Sequence, residues 1–226
     1  MLFRSGGPAY TIYKALTAAK LAANLTARGI PAVPIFWMAT EDHDFAEVNH
    51  TWLFDSDARV ARVGVESAIT RQRPAGEYPA QPSIEELRAA LRGFEHGDAV
   101  VAAVQDADTS GATMGSGFRA LIVRLLQQVG VLTLDPLDPA IRAVGAPLLA
   151  SAVRSAPELK AALLARGKEL SAAGYHAQVL VEEKTSLFFF LEDGERKTLK
   201  LKDAECATLA DRATAVSPNE IGRAHV

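Results

Sequence analysis

A single cysteine, Cys206, stands in the 226 residues, so no intrachain disulfide framework can form, and the usage fits a reducing compartment. No uninterrupted apolar run approaches the roughly 20 residues that a bilayer-spanning helix needs. No charged-then-apolar stretch precedes the first expected helix, so the expectation is a soluble, cytoplasmic protein with no membrane partner. Neither charge sign dominates: 24 Lys and Arg against 27 Asp and Glu give a net charge of -3, with a pI near 6.0. A nucleic-acid partner therefore has no compositional support. Internal repeats and low-complexity tracts are also absent. What is present is a 49% apolar chain, ordinary for a globular protein with a core.

Periodicity along the chain alternates between helix and strand. Residues 10–28 read as a helix with Ile12, Leu16, Ala19 and Ala23 on one face and Gly29 as its stop. Ala32 to Ala39 then reads as a strand apolar on both faces, of the kind that helices cover on both sides, with Pro34 marking an irregular or edge start. Thr51–Phe54 and Arg59–Val65 are shorter strands joined by the turn Asp55-Ser56-Asp57. A proline-rich connector over 73–83 leads to helices at 84–91 and about 98–106. The helix through Phe118, Ile122, Leu125 and Val129 stops at Gly130, and the buried strand 131–134 ends in Asp135-Pro136.

Asp138-Pro139 supplies a cap and first-turn proline for the next helix. Ser155-Ala156-Pro157-Glu158 has capping-box spacing and starts a helix to about Ala173. From Gln178 the period becomes strand-like, at Val179–Val181, Leu187–Leu191 and Lys197–Leu201, with Asp193-Gly194 as a hairpin turn. A charged helix is expected at about 203–212. The fold class is thus α/β, a Rossmann-like core with inserted connecting segments and a small antiparallel β element.

Chemistry concentrates where the first strand ends. Phe36-Trp37-Met38-Ala39-Thr40 breaks into Glu41-Asp42-His43-Asp44, with Glu47, Asn49 and His50 close behind. Open α/β sheets hold ligands at the carboxyl ends of their strands. His43 between two aspartates reads as a general acid/base, or as a histidine that braces the strand end. Glu41, Asp42, Asp44 and Glu47 read as holders of Mg²⁺ or of a substrate ammonium, although Glu47 suits the first turn of a helix beginning near Asp44. His43, Asp44 and His50 superficially suggest a metal-dependent hydrolase, but their spacing and the lack of thiolates make that signal weak, and no metal ligands are assigned. Tyr10 and Lys14 lie one turn apart at a helix start that suits an anion, although by itself Lys14 reads as an ordinary solvated lysine. Thr113, Ser116 and Arg119 offer a second anion site or simply a loop entering a helix, and Asp135 reads as a strand-end ligand or a cap. Cys206, in a polar setting without an activating base, is not read as a nucleophile.

Two motifs carry a resemblance: Gly7-Pro8-Ala9-Tyr10-Thr11-Ile12-Tyr13-Lys14 and the 36–50 run. Together they resemble the bacillithiol biosynthesis cysteine-adding enzymes, with further agreement at 118–126, Leu134-Asp135-Pro136, Gly174-Tyr175-His176, Leu187-Phe188 and Ser217-Pro218-Asn219. The resemblance implies a nucleotidyltransferase-type core, an amide-forming ligase and the substrates cysteine and glucosamine-malate, with ATP and Mg²⁺ as the implied nucleotide and ion. His43, Asp42 and Asp44 become the catalytic candidates. Gly7, Tyr10, Thr11, Lys14, Glu41, Asn49, Ser116 and Asp135 become the substrate- or nucleotide-binding ones. A non-catalytic nucleotide-binding or assembly module is the other alternative.

Family members carry a strand and turn before the Gly-Pro-x-Tyr-Thr helix and continue past Ser217-Pro218-Asn219 into a coiled coil that would serve homo-oligomer formation. Here Met1–Ser5 reads like the translation of a sequencing adapter, as does Ile221–Val226 with Glu220 at the junction. The expectation is a partial core over 6–173 with an insertion near 51–107, an antiparallel element over 174–219, and adapter-like ends at 1–5 and 220–226. Such a piece is expected to be inactive by itself.

Overall fold

The computed structural model describes residues 9–67, 73–109 and 111–177, together with 179, 181, 187–192, 195–201, 207–209 and 221–223. The chain divides into two compact units, Met1–Leu137 and Asp138–Val226.

In the first unit an alanine-rich helix α1 (Tyr10–Ala27) ends before Gly29, whose φ of +83° is one that L side chains rarely adopt. Its buried stripe is Thr11, Ala15, Ala19 and Ala22, whereas Leu16 and Ala23 of the expected face are exposed. The helix thus meets the sheet through its smallest side chains, which let the two backbones approach closely. Strand β1 (Ile35–Trp37) pairs in parallel with β4 (Leu132–Leu134), Phe36 opposite Thr133. Pro34 cannot donate to this ladder, but its carbonyl accepts from Leu132 N–H at 3.0 Å.

Phe36 and Met38 enter a core with Ala15, Phe118, Ile122 and Leu126. Ile35, Trp37 and Leu132 are 53%, 56% and 57% exposed. The expectation of a strand covered on both faces is therefore corrected: among the described residues only one face of the parallel pair is covered.

After β1 come a short helix α2 (Phe45–Val48) and the antiparallel hairpin β2 (His50–Phe54) and β3 (Val60–Gly64). Asp55 closes the hairpin turn by accepting from the amides of Asp57 and Arg59, at 2.9 and 2.8 Å. Helices α3 (Ile84–Ala90) and α4 (Gly97–Ala107) cover this hairpin through Leu87, Ala90 and Val101 against Val63. Helix α5 (Met114–Leu126) starts with a capping box between Thr113 and Ser116, runs into a 3-10 turn, and is followed by Gly130 at φ +73° and then β4.

In the second unit α6 (Pro139–Arg154) begins as its cap predicts, with the Asp138 carboxylate accepting from Ala140 N–H at 2.8 Å. Helix α7 (Ala156–Ala172) follows after Ser155 alone. The capping box expected at Ser155 does not form, because Ser155 is at once the last cap of α6 and the first of α7 and lacks the extended backbone a side-chain cap uses. Strands β5 (Phe188–Glu192), β6 (Glu195–Leu201), β7 (Ala207–Leu209) and β8 (Ile221–Arg223) form one antiparallel sheet in the order β7-β6-β5-β8. Val153, Ala156, Leu187, Phe188 and Leu199 form its core.

Two further expectations are corrected here. Ala207–Leu209 is a strand on the edge of β6 rather than part of a helix, a case of ladder pairing overriding local propensity. Val179 and Val181 lie outside any strand; Val181 instead packs against the core of this unit. Gly7, Asp193-Gly194, Cys206 and Ser217-Pro218-Asn219 fall outside the described residues. Among the described residues no helix is long and apolar enough to cross a membrane.

Candidate functional site

The last ladder bond of the parallel pair runs from Met38 N–H to the Leu134 carbonyl at 2.9 Å. Just beyond it each strand turns, one into Thr40–Asp44 and the other into Asp135. The two ends are joined by the Thr40 hydroxyl, which donates to Asp135 Oδ1. That same oxygen accepts Leu137 N–H at 2.9 Å.

The turn after Thr40 is held by its own side chains. Asp42 Oδ1 accepts from His43 N–H at 2.7 Å and more weakly from Asp44 N–H at 3.4 Å. Asp44 is the N-cap of α2 and accepts from Glu47 N–H at 3.1 Å. His43 is 8% exposed, and both of its ring nitrogens are shielded from solvent.

A strap through Pro74–Ala80 threads between this turn and the start of α5. Ala75 and Gly76 donate their N–H groups to the carbonyls of Asp42 and Thr40, at 2.5 and 2.8 Å. On the other side Met114 N–H donates to the Tyr78 carbonyl at 2.8 Å. Tyr78 stacks on Phe45, ring centres 4.1 Å apart and 18° from parallel, over a buried cluster of Val48, Ala75 and Met114. The strap thus fixes the acidic turn from behind through main-chain bonds and one aromatic pair.

Helix α1 runs antiparallel to β1. Ile12 and Ala15 pack with Phe36 and Met38, while Ala22 and Thr26 lie beside Ala32 and Pro34. The Tyr10 end therefore lies toward the carboxyl end of the strand. This end begins at Ala9 with no side-chain cap and no acid in its first turn. Lys14 Nζ sits 4.4 Å over the Tyr10 ring. An anion suits such a terminus. The start of α5 suits one less, since Thr113 already takes Ser116 N–H and Tyr78 takes Met114 N–H.

The family model for "Bacillithiol biosynthesis BshC, N-terminal Rossmann-like domain" matches residues 3–224. The chain belongs to this family. It is 47% identical over 226 residues to the protein of Solibacter usitatus (strain Ellin6076) that bears the name "Putative cysteine ligase BshC", covering 96% of this chain and 43% of that protein. The protein of the same name from Koribacter versatilis (strain Ellin345) is 37% identical over 195 residues, 86% of this chain and 37% of its own length. One from Staphylococcus carnosus (strain TM300) is 29% identical over 211 residues, 90% and 39% respectively. The chain thus spans about two-fifths of the length of these relatives. Its architecture is the α/β Rossmann-like fold of the BshC family with small antiparallel sheets.

Within this BshC-type domain the predicted residues that are described fall into four groups. Thr40's neighbours Glu41, Asp42, His43 and Asp44 lie in one turn, and the hydrogen bond from Thr40 brings Asp135 to it across 95 positions of sequence. Tyr10, Thr11 and Lys14 lie at the α1 start, Tyr10 exposed and Thr11 buried. Asn49 and His50 bond to each other, Asn49 Oδ1 to His50 Nδ1 at 2.8 Å, and His50 meets Trp52 edge-on, so both serve the root of the hairpin. Ser116 closes the α5 capping box. Among the described residues no group of three or more His, Cys, Asp or Glu could hold a metal ion, so the geometry gives the His43–Asp44–His50 hydrolase reading no support.

Sequence reasoning missed Thr40, Gly76 and Gly115, which meet at the strand end. A Cβ on Gly76 would stand 2.7 Å from Thr40 Cβ, and one on Gly115 would stand 3.0 Å from the Gly76 carbonyl oxygen. The glycines in 74–76 and 114–117 were the only available signal, and it is one shared with any loop. An open groove of about 500 Å³ along Ala19, Ala22, Thr26, Ala32 and Pro34 lies at the opposite, amino end of the strands. It carries no titratable side chain, whereas the titratable cluster of 41–44 and Asp135 lies at the other end.

Proposed function

We propose that this domain forms the substrate-binding crevice of an amide-forming ligase that joins the carboxyl group of cysteine to the amine of glucosamine-malate. The observation that supports this reading most is the convergence, at one end of a parallel strand pair, of the buried His43 turn with Asp135 through the Thr40 hydrogen bond. Family membership supplies the class of reaction, and the crevice supplies groups of the kind it needs.

Amide formation makes one C–N bond and breaks one C–O bond of the cysteine carboxyl. The attacking amine must first shed a proton, since it is an ammonium near neutral pH. In the proposed roles His43 receives that proton, and its shielded position keeps bulk water from competing. Asp42 and Asp44 hold the His43 backbone and the helix behind it through their amide bonds. The first turn of α1, which has no side-chain cap among the described residues, would with Tyr10, Thr11 and Lys14 hold the malyl carboxylates or a nucleotide phosphate. A bound nucleoside triphosphate would supply activation of the cysteine carboxyl, whose departing oxygen would leave on the phosphoryl or nucleotidyl group transferred to it.

The test is product formation by a protein of the relatives' length that carries this segment, supplied with cysteine, glucosamine-malate and ATP and followed by mass spectrometry. Cysteine-dependent product that falls at least about 100-fold in turnover on His43→Ala, with KM little changed, is expected. Full turnover in His43→Ala would remove His43 from the chemistry. Absence of product from the unaltered protein under any nucleotide would overturn the ligase reading.

A further inference from the structure

We infer that Thr40 is a positioning residue whose hydroxyl holds Asp135 to receive the primary ammonium group of the amino substrate. The inference deepens the ligase reading and rests on it for the identity of that substrate.

Thr40 is fully buried. Its carbonyl is taken by Gly76 N–H at 2.8 Å. Its Cγ2 methyl faces two glycines: an added Cβ would lie 3.1 Å from it at Gly76 and 3.3 Å from it at Gly115. Those contacts lock the side-chain rotamer, and with the methyl held there the hydroxyl points at Asp135 Oδ1. Oδ1 also takes Leu137 N–H, so one carboxylate oxygen is engaged by two donors. Among the described residues Oδ2 has no protein donor. A half-buried carboxylate at a strand end, with one oxygen clamped and the other open, fits a cation that brings its own hydrogens. A primary ammonium offers three such donors. Among the described residues Asp42 and Asp44 accept only from backbone amides of their own turn, whereas Asp135 is also fixed by a buried side-chain donor from the neighbouring strand.

Thr40→Val and Thr40→Ser separate positioning from packing. Valine keeps the branched shape against the glycines and loses the donor; serine keeps the donor and loses the methyl. On a protein of the relatives' length, Thr40→Val is expected to raise KM for the amino substrate or lower kcat by about 10- to 100-fold at a nearly unchanged melting temperature. Thr40→Ser is expected to retain most of the activity despite a lower melting temperature, and Asp135→Asn to match Thr40→Val. Binding of glucosamine-malate and of cysteine, measured by calorimetry without nucleotide, gives a readout independent of turnover.

Product formation with Thr40→Val indistinguishable from the unaltered protein would overturn the positioning role while leaving the ligase reading intact. Amine binding that depends on Thr40 and Asp135 in a protein that makes no product would overturn the ligase reading alone. Amine binding that is indifferent to both residues would overturn the inference.

Discussion

Replacing Gly76 by alanine should destabilise the first unit although the change adds one methyl group. The new Cβ would stand 2.7 Å from Thr40 Cβ and 3.1 Å from both the Thr40 methyl and the Thr40 carbonyl oxygen. Thr40 Cβ is anchored to the main chain and fully buried, so it cannot swing aside. Relief must come from the strap backing away, which stretches the 2.8 Å bond from Gly76 to Thr40 and the 2.5 Å bond from Ala75 to Asp42. Overpacking of this kind costs about 1–3 kcal/mol. For a unit of this size each kcal/mol lowers Tm by about 3–5 °C, so the expected fall is roughly 3–15 °C. Gly145→Ala is the matched control. It lies inside α6 with nothing within 4 Å of the added Cβ, and should stabilise its helix by about 0.5–1 kcal/mol. Both tryptophans, Trp37 and Trp52, lie in the first unit, so their fluorescence reports Gly76→Ala, and far-UV circular dichroism reports both variants. A Gly76→Ala protein whose tryptophan transition falls at or above that of the unaltered chain would refute the close-contact argument.

Lys14→Ala should raise KM for the anionic substrate about 3- to 10-fold with kcat near normal, because an exposed charge clamp is worth about 1 kcal/mol and acts already in the bound ground state; steady-state kinetics across substrate concentration check it. Asp138→Ala should cost about 1 kcal/mol through loss of the α6 cap, whereas Ser155→Ala, with no side-chain cap to lose, should stay within about 0.5 kcal/mol in urea unfolding. Burial raises the Asp108 carboxyl above its ordinary value. A raised folded-state value means that the folded chain binds this proton more readily than the unfolded one, so ionised Asp108 opposes folding above its folded pKa and ceases to do so below the ordinary carboxylate range. Asp108→Asn should therefore give a small gain in melting temperature at pH 7 that disappears below about pH 4.

Elements whose signals are local were legible in the sequence. Asp55 closes its hairpin and Asp138-Pro139 starts α6 because each uses bonds within four residues, and α5 shows its period over thirteen residues before Gly130. The same locality misled at Ser155, where capping-box spacing is present but the preceding helix already claims the residue. On α1 the apolar period favoured Leu16, and the structure buries Ala15 and Ala22 instead. Periodicity reports which face is apolar, whereas close approach to a strand selects small side chains within or beside that face. At 207–209 the decisive fact is a neighbour, β6, whose free edge no local reading of charged residues can reveal.

The candidate site divides along the same line. Its acidic turn was legible because an abrupt change from apolar to titratable residues is what a strand emerging from a core must show. Its frame was not, because Thr40 and Asp135 are 95 positions apart and the strap between them reads as a proline-rich connector. A glycine needed for space at negative φ leaves no mark of its own, unlike Gly130, whose left-handed backbone ends a visible helical period. Gly76 and Gly115 become interpretable only when Thr40 is found facing both. The consequence reaches function. If the turn alone set the chemistry, substitutions at Asp42 and Asp44 would be the most damaging in this region. In the assembled site those two carboxylates bond only backbone amides of their own turn, whereas Asp135 is held in place by the buried Thr40 hydroxyl from the other strand. Asp135→Asn should accordingly weaken amine binding more than Asp42→Asn or Asp44→Asn, whose losses should appear chiefly in melting temperature. The reverse order, measured by calorimetry and thermal unfolding on the same three variants, would return the ligand role to the turn.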